Sequence, residues 1–168
     1  MKNIVSKLIE LNKNMFAIVD EEDYNMLLGY NWRSLYIHHN WYAITSDPSS
    51  INCKGNIFMH RLIMNALKGE YVDHINHSGL DNRKGNLRIC TNTQNAQNRL
   101  PTKDRIGYKG VTKGKTAKKH GERWISGLQY NNIHYHLGTF STPELAAKAY
   151  DEKAKELFGE FALLNFPA

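Results

Sequence analysis

Cysteine is scarce in this chain, with only Cys53 and Cys90 among 168 residues. Two thiols far apart in sequence make neither a disulfide framework nor a zinc knuckle, and the expected setting is a reducing, intracellular one. Long apolar runs are missing too: none approaches the roughly 18 residues of a membrane helix. The N-terminus, Met1-Lys2-Asn3-Ile4-Val5, has no signal-peptide core, because Lys7, Glu10 and Asn12 interrupt it. Membrane insertion and secretion are therefore not expected. The 41% apolar content is still compatible with a folded core, and the length suits one ordinary domain or two small ones.

Acidic charge is outnumbered, with 16 Asp and Glu against 22 Lys and Arg, a formal net charge of +6. The excess is concentrated. Residues 99–123 hold Arg99, Lys103, Arg105, Lys109, Lys113, Lys115, Lys118, Lys119 and Arg123 against only Asp104 and Glu122, so the rest of the chain is close to neutral. A basic stretch of this density is either a solvated loop or a surface for a polyanion, nucleic acid or an anionic membrane.

Residues 1–58 read as strand-rich, with Phe16–Val19 and Trp41–Ile44 as short apolar runs bounded by polar clusters. Acids at Asp20–Asp23 ahead of Met26-Leu27-Leu28, with Gly29 after, predict a short helix. Trp32, Tyr36 and Trp41 read as core or sheet aromatics. Residues 59–100 hold the polar chemistry. Residues 101–107, polar with proline and glycine near their ends, read as a linker. Residues 108–168 predict strands at Tyr108–Lys113, Arg123–Tyr130 and Ile133–Phe140, with Asn131-Asn132 as a hairpin turn. A helix follows. Thr142 caps it, Pro143 takes its first position, Leu145, Ala146, Ala149, Tyr150, Ala154, Leu157 and Phe158 share a face, and Gly159 ends it. The fold class is α+β.

Within residues 59–100, Tyr71–Ile75 and Leu87–Cys90 predict two strands joined by an Asn-, Gly- and Asp-rich loop. Thr91 and Gln94 form a capping box for a short helix carrying Asn95. The residue types suit phosphodiester hydrolysis. One hard cation can bind a phosphate oxygen and the leaving oxygen together. Magnesium keeps several waters, so one carboxylate and one amide oxygen suffice as ligands; Asp73 and Asn95 supply them. His74 is a suitable general base at neutral pH. Because Asp73 and His74 are neighbours, a regular strand would aim them at opposite faces. Arg83, Arg88 and Arg99 can clamp flanking phosphates.

The set His60-Arg61-Leu62, Val72-Asp73-His74-Ile75, Leu80-Asp81-Asn82-Arg83, Asn86-Leu87-Arg88 and the Asn95–Arg99 helix resembles the HNH endonuclease motif of phage and intron-encoded homing enzymes. The resemblance implies a ββα-metal hairpin, with His74 activating water, Asp73 binding the metal and Asn86 orienting His74. Asn95 would be the second metal ligand, with Asn98 on the same helix face as its alternative. An asparagine in that last place moves the expected preference toward magnesium or manganese and away from zinc or nickel. His60 reads as structural or as support from outside the metal's ligands, and His77 as solvent-exposed.

A second resemblance covers the C-terminal third. Tyr108-Lys109-Gly110-Val111, Arg123-Trp124, Leu137-Gly138-Thr139-Phe140, Glu144–Asp151 and Ala162–Pro167 are similar to the ethylene-response-factor (APETALA) type of DNA-binding domain. That implies a three-stranded antiparallel sheet, packed on one helix, that enters the major groove. Lys109, Lys113, Arg123, Trp124, Gln129, His134 and His136 are the candidate contacts, since Arg and Lys read guanine edges and Gln reads adenine. Thr112 and His136 stand where that family usually has Arg and Trp, so its target sequence does not carry over. Together these readings predict a monomeric, magnesium- or manganese-dependent endonuclease acting on double-stranded DNA. A DNA-binding regulator without catalysis is the alternative, and an RNA-binding or membrane-surface protein a third.

Overall fold

The computed structural model describes residues 5–46, 55–100, 107–114 and 121–167. Most of the expected linker at 101–107 and Cys53 therefore lie outside the described residues. The chain is α+β and divides into two compact units, residues 1–95 and 96–168.

In the first unit β1 (Ser6–Glu10) and β2 (Phe16–Asp20) form an antiparallel pair with Leu8 opposite Ile18 and Ile9 opposite Ala17. Helix α1 (Glu21–Leu27) follows directly, with Glu21, Glu22 and Asp23 in its first turn, where the helix dipole favours negative charge. A second sheet has the order β3 (Arg33–Ile37), β4 (Asn40–Ser46), β5 (Asn56–Phe58). His38 and His39 both take positive φ between β3 and β4, the backbone that a two-residue hairpin turn requires. Helix α2 (Met59–Ile63) leads to the hairpin of β6 (Tyr71–His74) and β7 (Leu87–Cys90), and α3 (Asn92–Gln97) follows. Strands β1 and β3 and the short α2 lack the clean alternation or caps that made their neighbours legible.

One core draws on residues both before and after position 58: Ile9, Leu11, Ala17, Val19, Leu27, Trp32 and Ala43 pack with Met59, Ile63 and Leu87. Trp32 is buried there and its indole N–H donates to Leu27 O at 2.8 Å. Tyr36, by contrast, is 53% exposed and lies against Trp41 across the β3–β4 pair. Cys90 is also buried, and burial pushes its thiol up to about 11, so it is a protonated packing residue at neutral pH.

The second unit is a three-stranded antiparallel sheet, in the order β10 (Ile133–Phe140), β9 (Trp124–Tyr130), β8 (Val111–Lys113), with α4 (Pro143–Phe158) packed on one face. Asn131 and Asn132 adopt positive φ at the β9–β10 turn. Thr142 Oγ1 accepts from Leu145 N–H at the start of α4, and Gly159 ends it with φ 55°. Val111, Trp124, Ala146 and Ala147 make one buried cluster, and Leu128, Tyr150, Ala154 and Phe158 another. Strand β8 begins three residues later than the predicted Tyr108. Gly110 takes φ +74°, and the Tyr150 ring fills the place a side chain there would occupy; Gly110 contributes its carbonyl, which accepts Gly127 N–H at 3.0 Å, and the regular ladder starts at Val111. Asp151 fastens the C-terminal segment: its two carboxylate oxygens accept Asn165 N–H at 2.8 Å and Phe166 N–H at 2.9 Å.

Candidate active site and nucleic-acid interface

The β6–β7 hairpin sets Asp73 opposite Arg88 and His74 opposite Leu87. Both Asp73 and His74 are buried, at 7% and 6% exposure. The Arg88 guanidinium donates to Asp73 Oδ2 through Nε at 3.0 Å and a terminal nitrogen at 2.8 Å. Arg88 thus neutralises the carboxylate expected to hold a metal, and it is not a phosphate clamp in this structure. Arg83 is engaged in the same way: it donates to both Asp81 oxygens, at 2.7 and 2.6 Å. That contact holds the Asp81 carboxyl below its ordinary range and raises Arg83. Arg99 is exposed.

His74 sits among rings. The His60 ring meets it edge-on at 4.9 Å, and Tyr42 lies at 5.9 Å. Its Nε2 is 3.3 Å from Asn82 Oδ1. Burial lowers the His74 pKa below 6.5, while Asn82, Asp73 and Asp81 act in the opposite direction; the balance keeps the imidazole neutral at pH 7 and able to accept a proton. His60, pushed down to about 3 by burial and then by His74 and Arg61, is neutral as well.

The residue facing His74 Nε2 is Asn82, not Asn86. The Asn86 side chain knits the loop instead. Its Nδ2 donates to Asn76 Oδ1 at 2.9 Å and Asp81 O at 2.8 Å, and its Oδ1 accepts Asn76 N–H at 3.0 Å. Its carbonyl accepts the N–H of Ile75, the residue after His74, at 2.9 Å. Any influence of Asn86 on His74 through these bonds runs along the loop backbone.

The loop is also gripped from the N-terminal strands. Asn82 N–H donates to Ile18 O at 2.7 Å and Ile18 N–H to Leu80 O at 2.8 Å. Asp20 accepts Lys84 N–H at 2.8 Å, and Asn40 Nδ2 donates to His77 O at 2.8 Å. These partners, and Asn82 above all, were not picked out by sequence reasoning. Asn82 stands in the Leu80–Arg83 motif, but nothing in its spacing says that it turns inward.

On α3 the expected capping box is formed: Thr91 N–H donates to Gln94 Oε1 at 2.8 Å and Gln94 N–H to Thr91 Oγ1 at 3.2 Å. Asn95 is half-buried and Asn98 buried. Among the described residues no group of three or more His, Cys, Asp or Glu side chains is placed to hold a metal. The donor set expected from the sequence, Asp73 with Asn95, is one carboxylate and one amide, oxygen donors that suit a hard, largely hydrated cation.

In the second unit the face of the sheet turned away from α4 carries Thr112, Gln129, His134, His136 and Thr139, all exposed. Gln129 stands opposite His134, and His136 opposite Gly127. Arg123 is exposed just before β9. Three expected contacts are otherwise placed. Trp124 is 8% exposed, in the core against Val111, Ala146 and Ala147, because strand alternation puts it on the same side as Leu128. Lys113 pairs with Glu122 and lies 5.5 Å above the Trp124 ring. Lys109 Nζ donates to the backbone carbonyls of Gln97 and Arg99, the latter at 2.8 Å.

No family model matches the chain, and no solved structure matches it. The chain is similar to an uncharacterized HNH endonuclease of Acanthamoeba polyphaga mimivirus, 29% identical over 164 residues that cover 94% of this chain and 79% of the relative. A shorter stretch is similar to two Arabidopsis thaliana proteins. One is an ethylene-responsive transcription factor, 43% identical over 70 residues, 39% of this chain and 37% of that protein. The other is a dehydration-responsive element-binding protein, 38% identical over 69 residues, 40% of this chain and 19% of that protein. No helix among the described residues is long and apolar enough to cross a membrane.

Proposed function

We propose that this chain is a site-specific, homing-type DNA endonuclease, working as a monomer inside the cell on double-stranded DNA. The observation that carries the reading is the pair Asp73 and His74 at the end of β6, in a strand–strand–helix unit whose helix bears Asn95. The similarity to a protein named as an HNH endonuclease, over 94% of the chain, supports it. His74 is the general base: it takes a proton from water, whose oxygen attacks phosphorus as the bond to the 3′ oxygen breaks, and the departing 3′ oxygen takes up a proton from solvent. The products are a 5′-phosphate and a 3′-hydroxyl. Asp73 and Asn95 would hold magnesium or manganese, which when bound stabilises charge on the phosphate and the departing oxygen. The exposed sheet face with Gln129, His134 and His136, flanked by Arg123, selects the site, and the similarity to two plant proteins, one of them named as a transcription factor, supports a DNA-reading role.

The test is plasmid cleavage in magnesium, wild type beside His74→Ala, with gel shifts on the same DNA. Wild type is expected to nick or linearise the plasmid, and His74→Ala to lose about 100-fold or more in rate while binding equally. Equal binding with cleavage by neither, in manganese and across a range of targets as well, establishes the other reading, a DNA-binding regulator. Arg88 seated on the Asp73 carboxylate is the observation that favours that second reading.

A further inference from the structure

The Asn82 side chain is wholly enclosed, at 0% exposure. Its backbone is fixed to β2 by the bridge through Ile18 and Asp81. Enclosing a carboxamide is destabilising unless it is hydrogen-bonded. Asn82 Nδ2 finds no partner among the described residues, whereas Oδ1 faces His74 Nε2 at 3.3 Å. The half of the amide that is served is thus the half turned to the imidazole. The His60 and Tyr42 rings flank His74 at 4.9 and 5.9 Å and restrict its rotation. A neutral imidazole has one N–H and one lone-pair nitrogen, and the hydrogen bond made by one nitrogen decides the role of the other.

We infer that Asn82 is a positioning residue that holds His74 in the Nε2–H tautomer, a role in catalysis that rests on the nuclease reading above. In this arrangement Nε2–H donates to Asn82 Oδ1, and Nδ1 is the nitrogen that receives the proton of the attacking water. Strand β2 acts on the chemistry through this contact, because it fixes where Asn82 stands. The opposite orientation, with Asn82 Nδ2–H donating to Nε2, would put the proton on Nδ1 and turn the base away from its task.

The tautomer is read directly from two-bond ¹H–¹⁵N correlation spectra of the full chain with labelled histidine, at about pH 8 and without metal, where a free imidazole is neutral. His74 is assigned by the signals lost in His74→Ala. Wild type and Asn82→Asp, which keeps an oxygen acceptor, are expected to give the Nε2–H pattern. Asn82→Leu is expected to move His74 toward a tautomer mixture and to lower kcat for cleavage by about 10-fold or more at unchanged KM. An Nδ1–H pattern in wild type overturns the inference, and so does an Asn82→Leu protein that keeps both the Nε2–H pattern and its kcat. Should Asn82→Leu fail to fold, the wild-type and Asn82→Asp spectra decide. The expected spectra from a wild-type protein that never cuts DNA would uphold the tautomer assignment and sink the nuclease reading alone.

Discussion

Burial places the same constraint on His60 and His74: each ring is enclosed as a neutral group, and a proton on either would put a charge where little water reaches. For His60 the consequence for stability has a definite sign. Its pKa is about 3 in the folded chain, against 6.5 as the ordinary value. Between those values the unfolded chain binds a proton that the folded chain refuses, so stability falls as pH drops below 6.5 and goes on falling to about 3. A full proton of difference corresponds to about 1.4 kcal/mol per pH unit, so the loss from this group at pH 5 is on the order of 2 kcal/mol. Urea denaturation of wild type and His60→Leu at pH 7.5 and pH 5 measures it. The wild type should lose about 2 kcal/mol more than the variant on acidification; equal losses would show that His60 is not held neutral by its surroundings.

At the scale of elements, the turn into β8 is where a local sequence signal and a distant side chain meet. Gly110 has φ +74°, and a Cβ there would lie 1.9 Å from the Tyr150 ring of α4. Gly110→Ala therefore combines backbone strain with a steric conflict, and is expected to destabilise the second unit by at least about 2 kcal/mol. A thermal melt followed by near-UV circular dichroism checks this, and an unchanged melting temperature would mean that α4 is not seated on β8 as described. The same contact shows why some elements were legible and others were not. Helix α4 announces itself within sixteen residues, since Thr142, Pro143 and the spacing of Ala146, Tyr150 and Ala154 are local features. The start of β8 depends on Tyr150, which no short window contains. In the candidate site, Asp73 and His74 stand out through the resemblance of Val72–Ile75 and its flanking motifs to the HNH pattern, since an adjacent Asp and His alone say little. Asn82 does not, because its role depends on Ile18 in β2 bridging to the loop. Trp124 is a different case. The resemblance of Arg123-Trp124 to the ethylene-response-factor domain implies a surface contact, whereas the period of two shared with Leu128 places the ring inward.

For the whole molecule the governing quantity is where the +6 charge resides. The stretch 99–123 carries nine of the 22 basic residues and only two acids, so binding to a polyanion should depend on it more than on the remainder. The structure separates its members. Lys109 is tied to backbone carbonyls and Lys113 to Glu122, contacts internal to the second unit, whereas Arg99 and Arg123 are exposed. Lys115, Lys118 and Lys119 lie outside the described residues, but the sequence alone makes them the densest cationic run. Each phosphate neutralised on duplex DNA contributes about −0.9 to the slope of log K against log salt. If all three lysines contact phosphate, changing them together to glutamine should flatten that slope by about 2.7 and weaken binding to every duplex sequence alike. Lys113→Gln, which removes a cation already paired within the fold, should change the slope by much less. Fluorescence anisotropy on a labelled duplex across a salt series separates the two. A slope that flattens only for Lys113→Gln would move the phosphate-binding surface from the 115–119 stretch to the edge of the sheet. Equal, small effects for both would place the electrostatic anchor outside 113–119 altogether.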